Sequence, residues 1–248
     1  EALVAANISE NDLEAIAVTT EPGLIGSLLV GANFAKGLAL RLGLPIIPVH
    51  HIEGHLYSGC LEDSSVEFPF VALVVSGGHT SLFYVQSYSE YSVLGSTRDD
   101  AAGEAFDKVA KLLGLGYPGG PLVDEQKQKG NPVAYVFPRS MLHDGTYNFS
   151  FSGLKTSVRY FLQKTFPIGV PSEILPDICA SVQQAIVDVL VAKAIRAAIE
   201  NGVKTVVIAG GVSANSGLRK EMKNKGAKHG IRMIAPRMSF CMDNAAMI

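Results

Sequence analysis

The chain has 248 residues, of which 48% are hydrophobic and 18% are charged, and its formal net charge is -2. This length can bury one large core or two modest ones, and the balance of apolar and charged residues excludes an intrinsically disordered chain. The charge neither indicates nor excludes nucleic acid as a partner, because a local basic face can be hidden in a balanced total.

The first fifty residues predict alternating strands and helices. Residues 15–19 form a short β-branched run that ends at a Glu-Pro-Gly turn, which predicts a buried strand. Residues 24–42 are rich in Leu, Ala and small residues and end at Gly43, which predicts a long helix with a glycine stop. A second strand is predicted over 46–49, and a helix follows it from His51. This order is typical of a parallel α/β sheet.

The rest of the chain predicts a β-meander followed by helices. Residues 70–75 and 80–85 are predicted to be strands around a tight Gly-Gly turn, and 91–95 a third strand. Apolar spacing predicts a helix over 99–113, before a loop-rich polar stretch over 118–148. The remaining predicted elements are helices over 152–166 and 178–200, a buried strand over 206–209, a helix over 216–228 and a strand over 233–235.

Two histidines, His51 and His55, follow the second predicted strand at a spacing of four residues. On a helix this spacing places both imidazoles on one face, where they could share a metal ion. The alternative is a pair of core or surface histidines that happen to have this spacing, since no neighbouring residue supplies a convincing third ligand. A distant carboxylate such as Asp243 would have to fold back to complete the site.

The spacing of the histidines also resembles that of a zinc-peptidase helix. In the peptidase motif a glutamate directly follows the first histidine, about 100° round the helix and close to the metal. Here Glu53 lies two residues from each histidine, about 200° round the helix, and points to the opposite face. A glutamate in that place cannot easily act as the general base for a metal-bound water, which disfavours a peptidase.

Three glycine-containing turns could bind phosphate or a nucleotide. Ser76-Gly77-Gly78 offers backbone N–H groups without side-chain obstruction, and Gly210-Gly211 lies between a buried strand and a helix. Each could equally be an ordinary turn, as could Gly119-Gly120. Asn215 could contact a ligand or cap the following helix, and capping is the commoner role. Asp107 would by default belong to a solvated charge pair.

Taken in order, these motifs resemble the TsaD family, the tRNA threonylcarbamoyladenosine transferases once described as sialoglycoprotein endopeptidases. The resemblance covers essentially the whole chain, and its Ser-Phe-Ser-Gly-Leu-Lys segment favours the bacterial or organellar branch. The motifs that carry it are His-Ile-Glu-Gly-His, Val-Ser-Gly-Gly-His-Thr, Asp-Asp-Ala-Ala-Gly-Glu-Ala-Phe-Asp-Lys, Tyr-Pro-Gly-Gly-Pro, Asn-Phe-Ser-Phe-Ser-Gly-Leu-Lys-Thr and Gly-Gly-Val-Ser-Ala-Asn.

The resemblance implies an α/β, two-lobed actin-like fold of the sugar kinase and Hsp70 class, with nucleotide and metal in the cleft. Residues 1–69 are expected to form the N-terminal lobe and 70–248 the C-terminal lobe, with the chain end leading back toward the cleft. The opening strand of the family, with its Gly-Ile-Glu-Thr-Ser segment, has no counterpart here, and the family continues beyond residue 248. We therefore expect an N-terminal lobe without its first strands.

The resemblance also implies the site residues. One divalent metal ion per subunit, iron or zinc, is expected on His51, His55 and Asp243, and no catalytic residue is assigned beyond this metal centre. Threonylcarbamoyl-AMP, or ATP or ADP, is expected in the cleft. The residues expected to bind it are Val74, Val75, Ser76, Gly77, Gly78, Asp107, Gly120, Asp124 and Asn215.

The implied activity is transfer of the threonylcarbamoyl group from threonylcarbamoyl-AMP to N6 of adenosine 37 in tRNAs that read ANN codons. The alternatives are a metallopeptidase and an ATP-binding scaffold subunit. Besides tRNA, the expected partners are TsaB- and TsaE-like proteins in a bacterial protein, or a second copy in an organellar one. The basic residues that could meet tRNA phosphates are Lys155, Arg159, Lys220, Lys223 and Lys225, although scattered surface lysines are the commoner explanation.

The expected location is the cytoplasm, with mitochondria as the alternative. The three cysteines are odd in number and widely spread, which favours a reducing compartment over a disulfide framework. The longest uninterrupted apolar stretches, such as 70–75, are far too short to cross a bilayer, and no signal-peptide pattern opens the sequence. No association with a membrane is expected.

Overall fold

The computed structural model describes all 248 residues, which form two compact units. The first unit comprises residues 1–57 together with 244–248, and the second comprises 58–243. The division after residue 69 that the resemblance implies concerns the lobes of the family and stays a prediction.

The first unit contains a parallel two-stranded sheet. Strand β1 (Ile16–Glu21) pairs with β2 (Ile46–His50), and helix α2 (Ile25–Leu42) connects them, as parallel pairing requires. A short helix, α1 (Ala2–Ala6), precedes them. Helix α2 ends at Gly43, whose φ of +67° is the left-handed geometry in which glycine commonly terminates helices. The predicted strand–helix–strand order is confirmed.

Helix α3 (His51–Glu62) begins directly after β2. The last residues of the chain pass close to its first turns, since a Cβ atom at Gly54 would lie 2.9 Å from the carbonyl oxygen of Met247. Only a glycine leaves enough room for this approach of one backbone to another. The chain end is therefore held against the part of α3 that carries the two histidines.

The second unit is built on a five-stranded mixed sheet in the order β5-β4-β3-β6-β7. The first three strands along the chain form an antiparallel meander, and the last two extend the sheet in parallel with β3. Strand β3 is buried along its whole length, as is typical of a central strand. The strands are β3 (Phe70–Val75), β4 (Thr80–Ser87), β5 (Glu90–Ser96), β6 (Thr205–Ala209) and β7 (Arg232–Ile234).

The second unit also contains five complete helices, of which one was not predicted. Helix α5 lies within the stretch 118–148 that was predicted to be loop, so that prediction was wrong there. Its first residues, Gly119 and Gly120, are poor helix formers and conceal it. The helices are α4 (Ala102–Leu112), α5 (Gly119–Gln126), α6 (Ser152–Thr165), α7 (Leu175–Glu200) and α8 (Ser216–Lys228).

Two helices, α2 and α7, are long and apolar enough to cross a membrane by length and composition alone. The sequence expectation considered only uninterrupted apolar runs and did not include them. In the most apolar part of α7, 83% of the residues are buried inside the protein, whereas in that of α2 only 11% of the residues are buried. Two such helices are weak evidence for a membrane protein, because the core helix of a soluble protein meets the same criterion.

A buried lysine on α7 anchors the loop before α6. The side chain of Lys193 is 1% exposed, and its Nζ donates to Asp144 Oδ1 (3.0 Å) and to the carbonyl oxygens of Thr146 (2.9 Å) and Asn148 (2.5 Å). Burial lowers the pKa of Lys193, while the contact with Asp144 opposes this change. Burial raises the pKa of Asp144, but hydrogen bonds from Thr146 and Lys193 outweigh it and lower the pKa to about 2.

Candidate functional site

His51 and His55 lie one turn apart at the start of α3. Their ring centroids are 4.7 Å apart and the ring planes are inclined at 77°. His51 is partly exposed, whereas His55 is buried with 2% of its surface exposed. The two imidazoles therefore lie side by side, as their spacing in the sequence predicts.

Asp243 lies beside the same turns of helix. It is the residue from which the chain enters the segment 244–248, which belongs to the first unit. One carboxylate oxygen of Asp243 and one nitrogen of each histidine all lie within 4.8 Å of one another. The structure thus brings together the three residues that the resemblance names.

The donor set fits a divalent metal ion. Two imidazoles and one carboxylate suit iron, zinc and nickel, and they leave coordination positions open for a substrate. Ligand atoms about 2.0–2.2 Å from a tetrahedral ion are roughly 3.3–3.6 Å from one another. Atoms that already lie within 4.8 Å need only small side-chain rotations to reach such a geometry. The carboxylate of Glu53 is not part of this cluster, in keeping with the helix-angle argument against a peptidase.

The turn between β3 and β4 is a four-residue loop, 76–79. The Ser76 N–H donates to the carbonyl oxygen of His79 (2.7 Å), and Ser76 Oγ accepts from the N–H groups of Gly78 (3.3 Å) and His79 (3.1 Å). A Cβ atom at Gly77 or Gly78 would meet no atom within 4 Å. The turn therefore borders open space, as a ligand cradle must, but the N–H of Gly78, expected to face phosphate, donates to Ser76 instead.

Close backbone packing holds this turn in place. A Cβ atom at Gly103, in the first turn of α4, would lie 2.5 Å from the Ser76 carbonyl oxygen. A Cβ atom at Gly210, after β6, would lie 2.5 Å from the Val75 carbonyl oxygen, and the φ of Gly210 is +83°. Val75, like Val74, has a buried side chain, so these valines can reach a ligand only through their backbone. The role of Gly103 was not predicted, because the sequence does not distinguish it from any other glycine in a helix.

Asp107 holds the start of α5. Its Oδ1 accepts a hydrogen bond from the N–H of Gly119 (2.7 Å). A Cβ atom at Gly119 would lie 2.6 Å from the Asp107 Cα, whereas one at Gly120 would meet no atom within 4 Å. Asp107 is therefore more than a solvated charge, because it fixes a glycine turn that faces open space.

Asp124 of α5 contacts the start of α8, which follows Asn215, and Gln183 of α7 joins the two side chains. Asn215 Oδ1 accepts from the N–H of Leu218 (2.9 Å), so Asn215 caps the helix. Its Nδ2 donates to Gln183 Oε1 (2.9 Å), and Gln183 Nε2 donates to Asp124 Oδ1 (2.8 Å). Asp124 also accepts from the N–H (3.1 Å) and the hydroxyl (2.9 Å) of Ser216. Gln183 was missed because a single polar residue on an apolar helix carries little signal.

Sequence comparisons place the chain among well-described relatives. The family model described as "TsaD: tRNA N6-adenosine threonylcarbamoyltransferase" matches residues 1–248. The tRNA N6-adenosine threonylcarbamoyltransferase of Geotalea uraniireducens (strain Rf4) is 54% identical over 248 residues, which are 100% of this chain and 72% of that protein. The protein of the same name from Thermosipho africanus (strain TCF52B) is 51% identical over 243 residues, 98% of this chain and 73% of that protein.

Comparisons with solved structures give the same fold class. Full-length HypF in its phosphate- and nucleotide-bound form has a TM-score of 0.63 at 14% identity, over 92% of this chain and 37% of HypF. The (R)-2-hydroxyglutaryl-CoA dehydratase component A of Acidaminococcus fermentans has a TM-score of 0.57 at 16% identity, over 95% of this chain and 74% of that protein. At these identities the likeness shows the fold alone, and the predicted α/β, actin-like class is confirmed.

Proposed function

The chain belongs to the TsaD family, and from this premise we propose that it transfers a threonylcarbamoyl group to the N6 amine of an adenosine in tRNA. The observation that carries the proposal is the family match over residues 1–248. The relatives described above bear the name of this reaction. Neither the position of Glu53 nor either of the relatives described above supports the peptidase alternative.

We extend the proposal to the substrates that the family resemblance implies. The donor is threonylcarbamoyl-AMP, and the acceptor is adenosine 37 of tRNAs that read ANN codons. In this reaction a bond forms between N6 and the carbamoyl carbon, the bond from that carbon to the phosphate oxygen breaks, and AMP leaves. Two features support a site for the adenylate: open space beside Gly77, Gly78, Gly120 and Gly211, and the fixed turns around it.

The proposal also assigns the metal. His51, His55 and Asp243 would hold one divalent ion, iron or zinc, through two imidazole nitrogens and a carboxylate oxygen. Such an ion would supply Lewis-acid chemistry and would orient the donor. Burial of His55 keeps one ligand in a fixed place, whereas the partly exposed His51 and the exposed Asp243 leave a side open to a substrate.

The proposed partners and location follow from the same resemblance. The relatives described above come from bacteria, which favours TsaB- and TsaE-like partner proteins over the homodimer of the organellar branch. We propose the cytoplasm as the location, with mitochondria as the alternative for an organellar protein.

A nucleoside analysis of modified tRNA tests the proposal. Unmodified tRNA is incubated with the protein, threonine, bicarbonate, ATP and the partner proteins of a bacterial relative. The unsubstituted protein should form threonylcarbamoyladenosine, and His55→Ala or Asp243→Ala should reduce its formation at least about a hundredfold, because each removes a metal ligand. The control is His229→Ala, which removes an exposed histidine after α8. Metal analysis of all four proteins shows whether the loss of product accompanies a loss of metal.

Each part of the proposal can fail separately. If the unsubstituted protein binds metal but forms no product, the assigned activity is wrong. If His55→Ala or Asp243→Ala modifies tRNA at the unsubstituted rate, the metal assignment is wrong while the activity stands.

The nucleotide part has its own variant. Gly78→Val places a branched side chain in open space, so the fold should persist while adenylate binding weakens strongly. Calorimetry should show the loss of affinity, and metal content should stay normal. An unchanged affinity would mean that the loop 76–79 is only a turn.

A further inference from the structure

Helix α6 has an exposed basic face. Its fourteen residues include Lys155, Arg159 and Lys164 but no acidic residue, and all three cations are exposed. No carboxylate of the protein pairs with any of them. Most arginines elsewhere are neutralised by a carboxylate: Arg41, Arg139, Arg196, Arg232 and Arg237 each form an ion pair. Helix α6 therefore carries three unpaired cations and no acidic residue, whereas α8, with Arg219 and four lysines, also contains Glu221.

Lys155 and Arg159 are neighbours on this face. They are four residues apart and so lie one turn above the other. Tyr160, which follows Arg159, is 67% exposed. Lys164 lies about 180° round the helix from Lys155, so it is exposed on the other flank of α6 and does not belong to the same face.

Arg98 extends the charged surface at the start of the helix. Its N–H donates to the carbonyl oxygen of Phe149 (2.9 Å), which places it beside the residues that lead into α6. Arg98 is exposed and forms no ion pair. We call Arg98, Lys155 and Arg159 the basic patch.

The two acidic residues that follow Arg98 are engaged elsewhere. Asp99 accepts from the hydroxyls of Ser150 (2.6 Å) and Ser152 (2.7 Å) and from the N–H groups of Phe151 (2.8 Å) and Ser152 (3.2 Å). Its charge is thus placed against the positive end of the α6 dipole. Asp100 pairs with Lys108 at 2.7 Å. Neither carboxylate forms an ion pair with the basic patch.

The opposite face of α6 is fixed in the core. Leu154 and Val158 are buried, and the ring of Phe161 lies 4.8 Å from that of Tyr135 and 5.5 Å from that of Phe137. With the Asp99 contacts at its start, the helix is held at its first turn and along its inner side. The cations of the patch therefore project from a rigid support.

We propose that the basic patch binds the phosphate backbone of the tRNA substrate, an inference that rests on the proposed function. Arg and Lys side chains on a fixed helix attract a polyanion, and an exposed tyrosine beside them offers a ring on which an unpaired base can stack. The outer face carries no large apolar residue besides Tyr160, unlike a helix that lies in a membrane surface. The charge and the composition both favour nucleic acid.

The test compares two triple variants with the same change of charge. The first, Arg98→Gln/Lys155→Gln/Arg159→Gln, removes the patch. The second, Lys111→Gln/Lys129→Gln/Lys204→Gln, removes three exposed lysines that lie outside α6 and α8. Binding of unmodified tRNA is measured at several salt concentrations, and thermal unfolding confirms that both variants are folded. Vesicles rich in anionic lipid serve as a second polyanionic probe.

The patch variant should bind tRNA at least about tenfold more weakly, and the slope of log affinity against log salt should fall by about three, one for each lost phosphate contact. The control variant should change the affinity less than about threefold. Unchanged binding by the patch variant, or equal weakening in both variants, would overturn the proposal. The proposal would also be overturned if the patch variant lost binding to the vesicles but kept its affinity for tRNA. If the unsubstituted protein binds no tRNA, the proposed function falls as well.

Discussion

Two apolar helices, α2 of the first unit and α7 of the second, have very different surroundings. In α7, Ile178, Ile186 and Leu190 are fully buried. In α2 only two alanines are buried, and Ile25 and Leu40 are 79% and 86% exposed. Apolar composition therefore does not determine how much of a helix is covered, which depends on the elements packed around it. Equivalent substitutions in the two units should have unequal effects on stability.

The largest difference is expected from leucine truncation. Leu190→Ala on α7 should lower the free energy of unfolding by about 2–5 kcal/mol, because it leaves a cavity in the core. Leu40→Ala on α2 should change it by no more than about 0.5 kcal/mol, because the side chain already meets solvent. Urea unfolding of both variants measures the two effects. Equal losses would show that α2 is covered in solution.

The next largest difference in stability between the two units is expected from the loss of an ion pair. Lys193→Met leaves the carbonyl oxygen of Asn148 without its donor and Asp144 without its ion pair, and a buried polar group that loses its partner costs about 1–3 kcal/mol. Arg41→Met breaks a pair with Glu10 in which both side chains are about half exposed, and such pairs contribute about 0–1 kcal/mol. Thermal unfolding distinguishes the two. A smaller effect at Lys193 than at Arg41 would contradict the comparison.

Glycine-to-alanine substitutions should have opposite signs. Gly210→Ala should destabilise by at least about 1–2 kcal/mol, because its φ is positive and the new Cβ atom would meet the Val75 carbonyl. Gly37→Ala in the exposed interior of α2 should stabilise by about 0.5–1 kcal/mol, because alanine favours a helix and meets no atom there. Chemical denaturation gives both signs, and a stabilising Gly210→Ala would disprove the assigned backbone geometry.

The smallest expected difference between the two units is in how the stability changes at acid pH. The pKa of Asp144 is lowered from 3.8 to about 2, so its ionised form stabilises the fold. This contribution is fully present above about pH 4 and is lost as the pH falls toward 2. Asp144→Asn should therefore flatten the fall of stability in that range. The first-unit control is Asp12→Asn, where the N–H and hydroxyl of Ser9 lower the pKa of an exposed carboxyl. A steeper profile in Asp144→Asn would refute the assigned direction.

The sequence predicted what local patterns determine. The succession of strands along the chain follows from apolar runs and turn residues, and the side-by-side histidines follow from helical spacing. Asp243 could be named from the residues only as a carboxylate that would have to fold back, and the family resemblance was needed to assign it, because nearly two hundred residues of sequence separate it from the histidines it approaches. Helix α5 was missed because its first residue, Gly119, is held by a hydrogen bond to Asp107 of α4. Helix propensities, which depend on the local sequence, do not include such a contact. Long-range contacts of this kind need the three-dimensional structure.

The glycines around the loop 76–79 have a consequence for protein engineering. Gly103 and Gly210 are required by the main-chain atoms of Ser76 and Val75, so no exchange of neighbouring side chains can restore a lost glycine there. At Gly77 and Gly78 the space is open, and larger residues are compatible with folding. A saturation library at these four positions can be scored separately for soluble yield and for tRNA modification. Substitutions of Gly103 and Gly210 should reduce the yield, whereas substitutions of Gly77 and Gly78 should reduce only the modification.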